Sequence, residues 1–141
     1  GVSSGLSAYL NDNTSKAAAY KDPFNAENNA VSPSALTIKW NDGATNEEKL
    51  ERIITQKWLA IFPEGQEAWS EFRRTGYPRL FPVVVNNSGG LIDTKIQIRR
   101  LPFPQNEYNT NRTEVQNAIS LLGGPDNGGT RLWWDVAKGN F

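Results

Sequence analysis

The chain has 141 residues, 15 basic and 15 acidic side chains, and no cysteine, histidine or methionine. That is the length of one ordinary domain, with no net field to draw it to nucleic acid or to an anionic membrane. The missing residue types exclude a disulfide framework, a thiol nucleophile, a Cys/His zinc site and a histidine base, and any metal would need oxygen ligands, as calcium or magnesium do.

No run approaches the ~18 apolar residues of a membrane span, and no basic-then-apolar leader opens the chain. The lack of any methionine, initiator included, points to a segment of something longer. Residues 1–10 read as a short helix, with Val2, Leu6, Tyr9 and Leu10 on one face. Residues 11–43 are rich in Asn, Ser, Asp and Pro, and only "ALTIKW" resembles a strand. A loop longer than ~12–15 residues in a compact domain is usually functional or disordered, so this segment is a candidate binding surface as well as a candidate floppy insert.

A helix pair is predicted over residues 44–76. Thr45 and Glu48 stand in capping-box relation, and Leu50, Ile53, Ile54, Trp58, Ile61 and Phe62 follow at steps of three and four until Pro63. The second helix runs from Gln66 to Thr75 and stops at Gly76 with Pro78 beyond. Gly65, Trp69, Phe72 and Gly76 share one stripe; Glu67, Glu71 and Arg74 share the other side, where Glu71 and Arg74 can pair. The predicted core is Ile54, Trp58, Ile61, Trp69 and Phe72.

Residues 77–111 read as extended, with a half-buried strand where Ile96 and Ile98 alternate with Lys95, Gln97 and Arg99. A last helix spans 112–122, capped by Asn111 with Glu114 and stopped by Gly123-Gly124. Residues 123–141 form a tail in which Trp133 and Trp134, if extended, point to opposite faces. No internal repeat or charge run marks a second domain. The fold class is mainly α, with long loops and a few short strands, in one domain over 1–141.

No catalytic or metal constellation emerges. Glu67 and Glu71 are neighbours on one helix face and cannot flank a glycosidic bond from both sides. Asp126 is explained by turn chemistry and Asp135 as an end-of-strand charge. No phosphate-binding glycine motif occurs, and "DNTSK" misses the spacing of a calcium loop. Arg73-Arg74 and Arg99-Arg100 could clamp anions, but pairing with nearby carboxylates or helix carbonyls is the plainer reading. Tyr20, Trp40 and Trp134 lie outside clear helices, and such rings can stack on the apolar face of a pyranose while Asn and Asp bond its hydroxyls.

Three blocks, "RIITQKWLAIFPEGQEAWSEFRRTGYPRL" (52–80), "IRRLPFPQNEYNTN" (98–111) and "GGTRLWWD" (128–135), resemble in this order the C-terminal part of the SusD/RagB family. They cover about half of the chain, and "GQEAWSEFRRTGYP" is their most distinctive phrase. The resemblance implies the C-terminal portion of a tetratricopeptide-related, α-α superhelical fold. It implies a non-enzymatic outer-membrane lipoprotein at the bacterial surface, capturing oligosaccharides or other nutrients as a lid on a TonB-dependent (SusC-like) transporter. No cofactor and no nucleic acid is implied, and membrane attachment would run through a lipid anchor outside this chain.

Residues 11–43 depart from the family blocks. Tyr20 and Trp40 are therefore the candidate glycan contacts, with Trp134 third. The rival reading is an interaction segment that packs on the rest of a longer chain or on the transporter without touching ligand; it predicts exposed apolar stripes rather than isolated rings among polar groups.

Overall fold

The computed structural model describes residues 19–136, so the helix expected over 1–10 lies outside the described residues. Within them the chain is mainly helical: α1 (Asn46–Ala60), α2 (Gly65–Thr75), α3 (Gln105–Thr110) and α4 (Arg112–Ser120), preceded by a 3-10 turn at Ala26–Asn28. Long irregular segments join them.

α1 starts where its capping box places it. The Thr45 hydroxyl accepts the Glu48 N–H at 3.2 Å, and the Glu48 carboxylate accepts the Thr45 N–H at 2.8 Å, so two of the helix's open donors are satisfied reciprocally. Glu47 and Glu48 in the first turn and Lys57 in the last complement the helix dipole. A corner containing the cis Phe62–Pro63 bond leads to α2, and a cis Tyr77–Pro78 bond follows it.

α2 ends at Gly76, whose φ of 79° is left-handed and whose N–H bonds the Phe72 carbonyl at 2.9 Å; glycine takes this conformation without a Cβ penalty. Lys57 of α1 reaches Glu67 at 2.7 Å and Glu71 at 3.3 Å on α2. Arg74 grips Glu71 with two bonds, at 2.7 and 3.1 Å. The Tyr77 hydroxyl donates to Glu47 at 2.7 Å, tying the far end of α2 to the start of α1.

Several local expectations change. Neither "ALTIKW" nor 95–99 forms a strand; the backbone pairing of Tyr20 with Ala30 is an isolated bridge. At Asp93 the side chain accepts the Lys95 N–H at 2.7 Å and the carbonyl accepts those of Ile96 and Gln97, closing a turn that leaves Gln97 at φ 55°. Side-chain turn chemistry thus overrides the alternating pattern.

The segment read as extended to residue 111 holds α3, which begins directly after Pro104. Asn111 is both the C-cap of α3, through its N–H to the Glu107 carbonyl, and the N-cap residue of α4, where its side chain makes no cap bond; Glu114 accepts from Asn117 at 3.2 Å.

The apolar core is small. Ile54, Phe72, Tyr77 and Val115 are the buried apolar side chains among the described residues, whereas Glu51, Arg52, Arg73, Thr75, Arg99, Arg100 and Asp135 are buried polar ones. Of the predicted core, Ile54 and Phe72 are buried and Ile61 and Trp69 half-buried. Trp58 is 38% exposed; it lines an open cavity instead of a closed interior.

Replacing Thr45 by alanine removes the cap and should cost about 1 kcal/mol, within the range of 0.5–2 for such caps. Urea denaturation measures this, and an unchanged midpoint would show that the capping box does not stabilise α1.

Candidate functional site

The three aromatic-rich blocks of the sequence meet around buried arginines. The Arg73 guanidinium lies over the Trp69 ring at 3.5 Å and the Trp134 ring at 4.7 Å. It donates to the Arg99 carbonyl at 2.8 Å, and the Arg73 carbonyl accepts the Val136 N–H at 3.0 Å. The Trp69 indole N–H bonds the Ile98 carbonyl at 2.9 Å.

Arg99 lies 3.1 Å from the Asp135 carboxylate, which also accepts from Arg131 at 2.9 Å. Arg100 pairs with Asp126, which receives the Phe103 N–H and the Tyr108 hydroxyl, the latter at 2.6 Å. Asp126 and Asp135 are therefore partners of buried cations; Asp126 also sits at a bend, as expected, while no strand ends at Asp135.

Burial opposes ionisation of Asp126, but the Tyr108 hydroxyl, the Arg100 guanidinium and the Phe103 N–H together hold its carboxyl below the usual aspartate range. The same bond pushes the Tyr108 phenol up. Burial lowers both Arg73 and Arg99, partly offset by Asp135.

Close backbone approach completes the junction. The Arg99 N–H bonds the Gly128 carbonyl at 2.7 Å, and a Cβ on Gly129 would stand 2.8 Å from the Leu91 carbonyl. Glu67 and Glu71 are engaged too, since hydrogen bonding to Glu67 raises Lys57 and hydrogen bonding from Arg74 lowers Glu71.

The loop before α1 holds two of the three candidate rings, Tyr20 and Trp40, and the almost fully exposed Phe24. Trp40 is 46% exposed, and its indole N–H donates to Asp42 at 2.8 Å. The backbone just before it is fastened to α1: Arg52 donates to the carbonyls of Thr37 and Lys39, the second at 2.6 Å. Ser34 donates to Glu51 at 2.8 Å, and Glu51 also faces Arg79 at 3.3 Å. These polar anchors seat the "ALTIKW" segment, which forms no strand, on α1.

Tyr20 is 43% exposed, with its ring centroid 5.9 Å from that of Phe81. Two residues after Tyr20, Asp22 accepts from Asn28, Phe24 and Asn25, which lowers its carboxyl. Trp134 is half-buried with a face covered by Arg73, while Trp133 is almost fully exposed. No ring contact joins Tyr20, Trp40 and Trp134 to one another among the described residues.

A separate cavity of about 820 Å³ lies beside the helix pair, lined by Trp58, Trp69, Val83, Val85, Ile98 and Leu101, with Asn86, Asp93 and Gln97 among its polar residues. None of the three candidate rings lines it. Its sequence signal was the "VVV" run at 83–85, too short to reveal a concave surface. Among the described residues, no group of His, Cys, Asp and Glu is placed to hold a metal, and no helix is long and apolar enough to cross a membrane.

A family model described as SusD-like, SusD and RagB outer membrane lipoprotein, matches residues 1–135. The chain belongs to the SusD-like family. Among solved structures it is similar to a chitin-binding SusD homologue from Flavobacterium johnsoniae, with 57% identity and a TM-score of 0.85 over 97% of this chain and 28% of that one. A SusD homologue from Bacteroides vulgatus matches at 48% identity and TM-score 0.80, over 96% of this chain and 27% of that one.

A SusD-like protein from Bacteroides thetaiotaomicron matches at 43% identity and TM-score 0.84, over 95% and 28%. The chain thus spans less than a third of these relatives' length. No curated protein matches it. The SusD-like blocks quoted from the sequence are the segments that the buried arginines join.

Asp126→Asn should cost about 3–5 kcal/mol at neutral pH, the usual consequence of breaking a buried ion pair. The pH profile separates this from a packing defect. With its folded-state pKa depressed, Asp126 contributes fully above the unfolded aspartate value of about 3.9, and that contribution is lost as pH falls through the lower folded value. Urea midpoints across this acid limb should fall less steeply in the variant; identical slopes would remove Asp126 from the acid response.

Proposed function

We propose that this SusD-like chain takes part in capturing oligosaccharides of the chitin type at the outer face of the outer membrane. The observation that carries the reading is the 57% identity, over 97% of the chain, to a protein described as a chitin-binding SusD homologue. Trp40 and Tyr20 are the contact residues: each leaves nearly half of its side chain open in an Asn- and Asp-rich loop, the setting in which a ring stacks on a pyranose while amides and carboxylates bond its hydroxyls. Trp134, with Arg73 over it, ranks third.

The role is binding without catalysis, in keeping with the SusD-like family to which the chain belongs. A TonB-dependent transporter is the partner that receives the ligand, and a lipid anchor outside this chain holds the protein to the membrane. Calorimetric titration with chitohexaose tests the site. Trp40→Ala and Tyr20→Ala should each weaken binding by roughly 1–3 kcal/mol, as loss of an aromatic stacking platform does elsewhere. Undiminished affinity in both variants would discard these contacts.

A second reading is favoured by the cavity beside the helix pair. Val85 and Leu101 on its lining are exposed, as is the neighbouring Val84, and apolar surface of this kind suits another polypeptide face better than a sugar. Val85→Asp and Leu101→Asp should then disrupt association with the transporter while leaving chitohexaose affinity unchanged. Intact association in both would remove this reading.

A further inference from the structure

Trp40 is held from three directions. Upstream, one nitrogen of Arg52 donates to the carbonyls of Thr37 and Lys39, on either side of Ile38. Arg52 is itself buried on α1, and a buried guanidinium is stable only while its hydrogen bonds are made. The strap and the helix are therefore coupled.

Downstream, the Asn41 side chain accepts the Gly43 N–H at 3.0 Å and its carbonyl accepts the Ala44 N–H at 3.2 Å. This turn runs directly into the Thr45 cap of α1. Four residues separate Trp40 from that cap on one side, and the Lys39 anchor adjoins it on the other.

The ring has its own tether. The Asp42 carboxylate takes the indole N–H at 2.8 Å, which uses the polar edge of the ring and selects one orientation of the side chain, while 46% of the residue stays open to solvent. An aromatic side chain left free to rotate would gain nothing from such an arrangement. A ring that must meet a flat ligand does gain, because side-chain ordering is then complete before the ligand arrives.

We propose that Arg52 and Asp42 are positioning residues that hold the Trp40 indole as a preorganised platform for the apolar face of a sugar ring. This rests on Trp40 being a ligand contact, as proposed above. Asp42 is exposed and lies outside the packed core, so its variants keep the test free of folding failure. Arg52→Lys, which retains a donor, is the companion variant at the buried position.

The first arm needs no ligand. Nitrogen-15 relaxation of the Trp40 indole N–H in the intact chain should give an order parameter of about 0.8–0.9, close to rigid backbone, falling toward about 0.6 or below in Asp42→Ala. The second arm is titration with chitohexaose. Asp42→Ala should weaken binding by about 3–10-fold, the order expected for ordering one side chain on binding, while Asp42→Asn, which keeps a carbonyl acceptor, should stay within about twofold of the parent.

Rescue by Asn together with loss of ring order in Ala supports the proposal. A mobile Trp40 indole in the parent chain overturns it, as does an Asp42→Ala variant with unchanged order and affinity; both leave Trp40 standing as a contact. Unchanged affinity in Trp40→Ala overturns the proposal together with the reading beneath it.

Discussion

The junction of Arg73, Arg99 and Asp135 is the constraint on which the rest of the structure depends. With few apolar side chains fully buried, the chain relies on charged groups that are stable in the interior only when every partner is present. Arg73 sits over two indoles and donates to a backbone carbonyl, and Arg99 meets a carboxylate that also holds Arg131. Lysine could not replace either arginine, because only a planar guanidinium both stacks on rings and donates along fixed directions. The result is that helix α2, the segment around residue 99 and the tail around residue 135 are one body.

That body frees the surface for other work. Phe72 and Tyr77 are taken up by packing, whereas other rings stay open to solvent: Tyr20, Phe24 and Trp40 in the loop before α1, Trp58 and Phe62 towards the helix corner, Phe81 beyond it, and Trp133 in the tail. The loop is no loose insert. Glu51 and Arg52 reach out of α1 to hold Ser34, Thr37 and Lys39, so a segment without a strand ladder is nonetheless seated on a helix. The apolar cavity is lined by none of Tyr20, Trp40 and Trp134.

The helix pair was legible because its signals are local: a capping box at Thr45 and Glu48, a period near 3.6, and a glycine at the stop. The Glu71 and Arg74 pair followed from the same spacing. The missed features are those fixed by tertiary partners. Alternation at 95–99 suggested a strand, but Asp93 closed a turn there. Asn111 does stand at the N-cap position of α4, but it is also the end of α3 and its side chain makes no cap bond.

Asp126 and Asp135 carried ordinary local explanations, and nothing within a few residues announces that their partners are Arg100 and Arg99. Arg52 sits on an otherwise charged helix face and gave no sign that it is buried. For the ring tether the signal was present, since Trp40 and Asp42 are two residues apart, but its meaning depends on the strap geometry. The family resemblance supplied what spacing could not, namely that the three blocks belong together.

The most direct measurement of the account follows the five tryptophan indole N–H signals in a nitrogen-15 correlation spectrum as chitohexaose is added. The account predicts that the Trp40 signal shifts with ligand while Trp69, bonded to the Ile98 carbonyl, stays where it is. A response at Trp58 and Trp69 with Trp40 unmoved would contradict it and place the ligand in the apolar cavity instead.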